Sequence, residues 1–422
     1  MNYKKCINWL YSFEKFGIKL GLDRIKHICN KLGNPQNNYK IIHVGGTNGK
    51  GSVCRFLESA LVNCGYNVGT YTSPHLQRFS ERFVINKKEI SEAEIEKLIS
   101  KIKPIVDEMA IKNNSPTFFE IVTAMAFQLF KDKKVDFAII EVGLGGRYDA
   151  TNIVNPIVTI ITNVTFEHQN ILGDKIEDIS FEKAGIIKKD IPTVTAGTGK
   201  ALEVIKKTSL QKNSSITIID NDSWNILSTG LDGQEIKING FLKEYNLKTS
   251  MIGKHQAENA AITMATLEIL QMNGIYITDD AINEAFEKTK NPGRMEIIGI
   301  KPMILLDGAH NVAGMNFLKT AIEENFVYEN LIIIFGILKD KNIQDILDII
   351  APIADIIIAT KSQSRRAFNP LLLNKMAGKK EVVVIEKIHD AIKYAKKIAN
   401  HNDMICITGS LYTIGEARDY LL

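Results

Sequence analysis

The residues best placed to do chemistry stand in one stretch, Ile41–Phe56, which reads IIHVGGTNGKGSVCRF. Gly45, Gly46, Gly49 and Gly51 surround Lys50, between an apolar run and an amphipathic one. A buried strand, a glycine turn and a helix start aim backbone N–H groups at one point, which suits phosphate. The glycines permit close approach, and Lys50 adds a positive charge for terminal phosphates. The register differs from the usual phosphate loop, G-x-x-x-x-G-K followed at once by Ser or Thr. Here Gly51 follows Lys50, Ser52 comes one place late, and Val44 stands where the first glycine belongs. The competing reading is a plain strand-to-helix turn. The glycines and lysine together, set between strand and helix, weigh against it.

A second candidate is IIEVGLGGRYDATN, from Ile139. Gly143 and Gly145 begin a dinucleotide fingerprint, but Tyr148 stands in the third glycine position and the match fails. Glu141 ends an apolar run. A carboxylate there can bind Mg²⁺ through hard oxygens or simply meet solvent, and position alone leaves both open. On residue type alone, His168 reads as a hydrogen-bonded structural histidine and Lys183 as a surface or helix-start lysine.

These groups need elements to position them. Short β-rich apolar runs alternate with amphipathic helical patterns, which predicts an α/β protein built on parallel sheets. Ile41–Val44, Val135–Val142 and Pro156–Ile161 read as buried strands. Val53, Phe56, Leu57, Ala60 and Leu61 place a helix behind the glycine loop. From Ser214 to Ser250, SITIID, GQEIKING and KEYNLKTS lie between turn signals and predict an antiparallel excursion. A helix is predicted from Gln256 to Met272. NPGRMEII, from Asn291, predicts a domain boundary, because Pro292 and Gly293 stop the preceding helix. The expected domains are 1–294, a P-loop-type ATPase domain with a mostly parallel sheet plus the small antiparallel excursion, and 295–422, a smaller Rossmann-like doubly wound domain. In the second, MILL, LIIIF, DIIIAT, EVVVI and MICIT read as strands. The polar clusters DGAHN, KDKN, KSQSRR and GSL follow strand ends, where ligands of open α/β sheets bind.

Composition excludes several classes. At 45% hydrophobic and 24% charged residues, the 422-residue chain reads as a soluble globular protein. The net charge of +4 is small and dispersed, so nucleic-acid binding is not expected. The five cysteines form no C-x-x-C pair and no Cys/His cluster, which suits reduced thiols in the cytoplasm. Glu14 and Lys15 interrupt the apolar start, so no signal peptide is read. No apolar run approaches the ~18 residues of a membrane span.

The order GTNGKGS is similar to the phosphate loop of the Mur-ligase superfamily. Its Gly-Ser ending resembles the folate branch, the folylpolyglutamate and dihydrofolate synthases, where the hydroxyl residue stands two after the lysine. The likeness continues in order: LGLDRI at Leu20, TSPHL…ERF at Thr72, PTFFEIVTAMAF at Pro116, IIEVGLGGRYDATN, EHQNILG at Glu167, EKAGIIK at Glu182, GKHQAENA at Gly253, NPGRME, LLDGAHN at Leu305, and TGSLYTIGEAR at Thr408. Taken together in this order, the motifs are highly specific.

The resemblance implies roles. Gly49, Lys50, Gly51 and Ser52 would cradle ATP phosphates. Ser73, Glu141 and His168 would hold Mg²⁺. The lysine matching Lys183 is carboxylated in the family and would ligate a second Mg²⁺, since a carbamate turns a cation into an oxygen-bearing anion. Lys50, Lys183, Glu141 and His168 would thus be the catalytic set. Asn259 would read adenine, Arg294 reach the phosphates, and Asp307 the ribose, with His310 and Asn311 lining the same cleft. The plainer readings are a helix-surface amide for Asn259, an interface ion pair for Arg294 and a helix cap for Asp307. Gly21, Leu22, Asp23, Arg24, Thr117, Phe119, Tyr148, Asp149 and Ala150 match positions that hold pteroate. Core packing is an equal reading for Phe118 and Phe119. One departure stands out: the family commonly has Asp before the metal histidine, and this chain has Glu167.

The implied activity is ATP-dependent addition of L-glutamate to a reduced folate through an acyl phosphate, with dihydropteroate as a second candidate acceptor. The implied partners are these small molecules, with no nucleic acid and no membrane, and the implied state is a cytoplasmic monomer. Two readings compete. A cell-wall Mur ligase would carry an extra N-terminal domain, for which a loop beginning by residue 45 leaves no room. A non-catalytic nucleotide switch would need no second metal.

Overall fold

The first apolar run takes the centre of a sheet because both of its faces find hydrophobic partners. In the computed structural model, which describes residues 2–422 apart from 378, 379 and 381, Lys40–Gly45 (β1) is buried along nearly its whole length. Ile42 and Val44 face one core and Ile41 the other, as the period-two geometry of a strand requires. The first core is covered by helices Lys50–Asn63 and Lys254–Met272, the second by Asp23–Lys31, Glu92–Ile111 and Phe118–Asp132.

β1 belongs to an eight-stranded sheet with Val68–Tyr71 (β2), Phe83–Ile85 (β3), Lys88–Glu89 (β4), Phe137–Glu141 (β5), Val158–Ile161 (β6), Thr193–Thr195 (β7) and Ile216–Ile218 (β8). The order is β4-β3-β2-β5-β1-β6-β7-β8. The strands run parallel from β2 to β8, and β3 and β4 form an antiparallel edge. Val44 pairs with Glu141 on one side and Ile160 on the other, so the carboxyl ends of β5, β1 and β6 open into one crevice.

The antiparallel excursion exists, but its members differ from those predicted. Trp224–Gly230 (β9), Gly233–Asn239 (β10) and Glu244–Thr249 (β11) form it. SITIID instead supplies β8, the parallel edge of the large sheet. Trp224–Gly230 is mostly exposed, so its apolar alternation is faint, while three half-buried residues of β8 carry no mark of strand direction.

The second large sheet comprises Glu296–Ile300 (β12), Met303–Leu306 (β13), Leu331–Phe335 (β14), Ile356–Lys361 (β15), Val382–Lys387 (β16) and Met404–Thr408 (β17), ordered β12-β13-β17-β14-β15-β16. The predicted run EVVVI begins at Glu381, which lies outside the described residues. β12 was not expected. It pairs antiparallel with β13 through a bulged hairpin, while the other pairings are parallel. Hydrophobic layers cover both faces. The two large sheets share no strand among the described residues, and the chain crosses between them near Asn291–Met295. No described helix is long and apolar enough to cross a membrane.

Candidate active site

The glycine loop leaves β1 and turns directly into helix Lys50–Asn63. Gly46 (φ +128°) and Gly49 (φ +88°) occupy left-handed backbone, and each is also sterically obligatory. A Cβ on Gly46 would fall 2.0 Å from Thr162 Oγ1, and one on Gly49 2.2 Å from Asn259 Oδ1. The loop is pinned from outside. Thr47 N–H donates to Asn163 O (2.8 Å), Asn48 N–H to Asn163 Oδ1 (3.0 Å), and Thr162 Oγ1 to Asn48 O (2.6 Å). Lys50 Nζ folds back and donates to Gly46 O (3.0 Å) and Thr47 O (2.9 Å). The N–H groups of the first helical turn therefore face the cleft beside an ammonium.

Glu141, at the carboxyl end of β5, is buried at the floor of this cleft. Its Oε2 accepts the Ser73 N–H at 3.0 Å. No cation lies within ion-pair distance of it among the described residues. Burial pushes its carboxyl upward, and the nearby Lys50 charge opposes that. Ser73 and His168 line the same space. His168 holds a left-handed conformation (φ 47°), costly for a non-glycine residue. Burial pushes its imidazole down to about 4, so the ring is neutral. A buried carboxylate, a hydroxyl and a neutral imidazole facing a phosphate loop fit Mg²⁺. No group of three or more His, Cys, Asp or Glu among the described residues forms a metal cluster, so phosphate oxygens and water would complete the shell.

Lys183 is not on the surface. It is 1% exposed, beneath the loop, and donates to Gly46 O (3.0 Å) and Glu167 Oε1 (2.5 Å). Lys50 and Lys183 thus converge on one carbonyl. Burial lowers the Lys183 amine; Glu167 opposes this and the Lys50 charge adds to it. Burial would raise the Glu167 carboxyl, but Lys183 and Lys50 outweigh it and hold it down to about 2. Residue type and position alone gave no sign of this buried pair.

The opposite wall comes from the second sheet. Asp307, just past β13, is no helix cap. Its carboxylate accepts the N–H of Met295 (2.9 Å) and Ala309 (2.8 Å). His310 Nδ1 donates to Gly308 O (2.7 Å), which leaves Nε2 as an acceptor, and burial holds the ring's pKa down to about 3. Asn311 caps helix Val312–Asn325; its Nδ2 donates to Asn48 Oδ1 (3.1 Å) and its Oδ1 accepts from Asn48 Nδ2 (3.4 Å), joining this wall to the loop. Arg294 lines the cleft with no ion-pair partner among the described residues, which removes the interface salt bridge. Asn259 is buried and no helix-surface amide; it donates to Gln256 Oε1 (3.1 Å) and presses on Gly49. Sequence reasoning missed a stacked pair that joins the two sides of the cleft, His255 of helix Lys254–Met272 and Phe317 of helix Val312–Asn325, with ring centroids 5.4 Å apart. His255 stood within a noted motif, whereas Phe317 gave no signal. The cleft measures about 180 Å³.

A larger cavity, about 580 Å³, adjoins it. Gly21, Thr117, Phe119, Tyr148, Asp149 and Ala150 line it. Thr117 caps helix Phe118–Asp132, and Phe119 fits under Gly143, where a Cβ would fall 2.3 Å from the ring. Leu22, Asp23 and Arg24 stand outside the lining. Leu22 packs on the core and Asp23 opens helix Asp23–Lys31. Arg24 braces the wall, bonding Glu120 at 3.0 Å and Lys19 O at 2.8 Å. Arg82, from the ERF motif, and Asp340 and Arg366, from the KDKN and KSQSRR clusters beyond strands of the second sheet, also line it; the sequence marked those stretches but assigned none of the three residues a role. Ser73, Pro74, Gly143 and His168 line both cavities.

Residues 44–267 match the Mur ligase middle domain and residues 293–411 the Mur ligase glutamate ligase domain. A Bacillus subtilis dihydrofolate synthase/folylpolyglutamate synthase is 37% identical, covering 99% of each chain. The chain belongs to the folylpolyglutamate and dihydrofolate synthase family of Mur ligases. Solved structures agree. A Mycobacterium tuberculosis folylpolyglutamate synthase complexed with ADP superposes with a TM-score of 0.92 at 32% identity, over 100% of this chain and 99% of that one. E. coli FolC in complex with DHPP and ADP gives 0.85 at 28%, over 98% and 97%. The family's members are ATP-dependent ligases of folate and glutamate, and this chain is one of them.

Proposed function

We propose that this ligase extends a reduced folate with L-glutamate and takes dihydropteroate as a second acceptor. One observation carries the reading: the phosphate-loop cleft and the larger ring-lined cavity meet at Ser73, Pro74, Gly143 and His168. A flat acceptor seated among Phe119 and Tyr148 would present its terminal carboxylate at that junction.

A carboxylate is a poor acyl donor, because its leaving group would be oxide. The acceptor carboxylate therefore attacks the γ-phosphoryl group of ATP, forming an acyl phosphate and releasing ADP. Gly49, Gly51 and Ser52 offer N–H groups and a hydroxyl, and Lys50 and Arg294 offset the charge that gathers on the transferred group. Asn259, with the His255–Phe317 wall, holds the adenine end, and Asp307 and His310 hold the ribose side. The α-amine of glutamate, entering from the second sheet, attacks the acyl carbon. The tetrahedral intermediate expels phosphate, and the amine loses a proton as the amide forms. Mg²⁺, held by Glu141, Ser73 and His168, would supply further charge neutralisation at the phosphates.

Lys183 is carboxylated in this reading. Its lowered amine favours the neutral form that reacts with CO₂, and carbamate formation releases a proton. The product would face the Glu167 carboxylate, two anions that together suit a second Mg²⁺. In this reading the enzyme is a cytoplasmic monomer acting on small molecules alone, in keeping with its small net charge and with no described helix being long and apolar enough to cross a membrane.

The test is incorporation of labelled glutamate with ATP and Mg²⁺, offering tetrahydrofolate and dihydropteroate separately. Incorporation into both is expected. Incorporation into dihydropteroate alone overturns the lead acceptor, and incorporation into neither while ATP is consumed overturns the folate assignment.

A further inference from the structure

We propose that His43 is a positioning residue for the acceptor cavity, acting through Thr151 and Asp149 on the loop that walls it. This rests on reading the larger cavity as the acceptor site. His43 lies in β1, fully buried, and its Nε2 is 2.9 Å from Thr151 Oγ1. Thr151 Oγ1 is in turn 2.6 Å from Asp149 Oδ1. Asp149 also accepts the N–H of Thr151 (3.0 Å) and of Leu144 (2.9 Å). Burial raises the Asp149 carboxyl, and these donors oppose that and favour the carboxylate.

The proton order follows. The Thr151 hydroxyl has one proton and gives it to Asp149. Its contact with the imidazole therefore needs a proton from Nε2, which fixes His43 as the neutral Nε2–H tautomer. Nδ1 is then a bare acceptor, with no hydrogen-bond partner among the described residues. Burial, with the Lys188 charge, keeps the ring neutral, down to about 3. A buried orphan nitrogen is costly, and an apolar side chain would fill the strand position without that cost. What the imidazole provides is the bond to Thr151, the first of an aligned pair of donors that ends on an anion.

The anion matters because it closes a loop. Asp149 ties Leu144 to Thr151, and the segment between them carries Tyr148 and adjoins Gly143, which rests on Phe119. The phosphate loop does not depend on this chain of bonds. β1 is held by β5 and β6 through its backbone, and the loop is pinned by Thr162 and Asn163.

The experiment compares His43→Leu, His43→Gln and Thr151→Val in the full-length enzyme, measuring KM for tetrahydrofolate and for ATP. His43→Leu and Thr151→Val are expected to raise the folate KM about tenfold and leave the ATP KM within about twofold. His43→Gln is expected to restore most of the loss, because its amide N–H reaches the position of Nε2. Equal rises in both KM values, or a Gln variant no better than Leu, would overturn the proposal. If His43→Leu does not fold, Thr151→Val decides alone, since it keeps the shape and removes the hydroxyl. Phe119→Ala separates the two readings. An unchanged folate KM in that variant overturns the acceptor cavity and the proposal with it. A raised one beside an unaffected His43→Leu overturns only the role of His43.

Discussion

The cleft proposed for phosphate and the cavity proposed for the acceptor share four residues and are built on different plans. The first is walled by glycine backbone, interlocked amides and buried charges that meet within hydrogen-bond distance. The second is walled by rings and aliphatic chains from several loops, with polar groups that mostly bond one another. Holding a phosphate demands a fixed set of backbone donors, and only certain residues permit that backbone. Holding a flat ring demands shape and apolar area, which many residue combinations supply. The phosphate cleft should therefore fail sharply when a single group is lost, and the acceptor cavity by degrees.

The largest effect should come from the loop itself. Lys50→Ala should lower ligation by about 10²–10³-fold or more, with the circular dichroism spectrum unchanged. Near-normal turnover would break the contrast between the clefts. Lys183→Ala should also nearly abolish ligation, and, measured against the metal-free protein with its Lys183 amine unmodified and paired to Glu167, it should destabilise the fold by about 3–5 kcal/mol, because Glu167 is left without its cation. Adding Glu167→Gln should return much of the stability in urea unfolding but none of the activity. Recovery of both would show that Lys183 serves folding alone.

A milder loss is expected in the acceptor cavity. Tyr148, partly exposed on its wall, should cost about 1 kcal/mol when changed to Ala, read as a fivefold to tenfold rise in folate KM with the ATP KM unmoved. A collapse of turnover there would erase the predicted difference. The smallest effect on catalysis concerns Glu258, on the helix that carries Asn259; the role of Glu258 is confined to the pH dependence of stability. Burial raises its carboxyl to about 7, against the opposing bond from Asn163. Its folded value is raised, so this contribution to stability is full below about pH 4.5 and is lost as pH rises through 7. Glu258→Gln should flatten that decline by on the order of 1–3 kcal/mol in unfolding measured across the range. An unaltered pH profile would show that Glu258 is solvated.

The legibility of the site follows the same contrast. Gly49, Lys50, Gly51 and Ser52 were readable because loop, strand and helix are contiguous. Arg24 was readable as a motif member but not as a brace, since its partner Glu120 lies ninety-six positions away. Lys183 looked like a surface lysine, because nothing local signals burial. In the fold, the long apolar runs were legible. β8 and β9 were not, because a short half-buried run and an exposed one carry little hydrophobic periodicity.

The sequence by itself determined what depends on covalent neighbours: the glycine loop and its odd register, the alternation of strands and helices, and the ordered motifs that mark the family. Tertiary structure alone decided what depends on distant segments meeting. It set Glu167 against Lys183, stacked His255 on Phe317, tied Asn48 to Asn311 and brought His43 to Thr151. Backbone geometry is a local property, written in residue type. Burial and the partners of a buried charge are fixed only when the core closes and excludes water, and each polar group must then bond what packing has placed beside it.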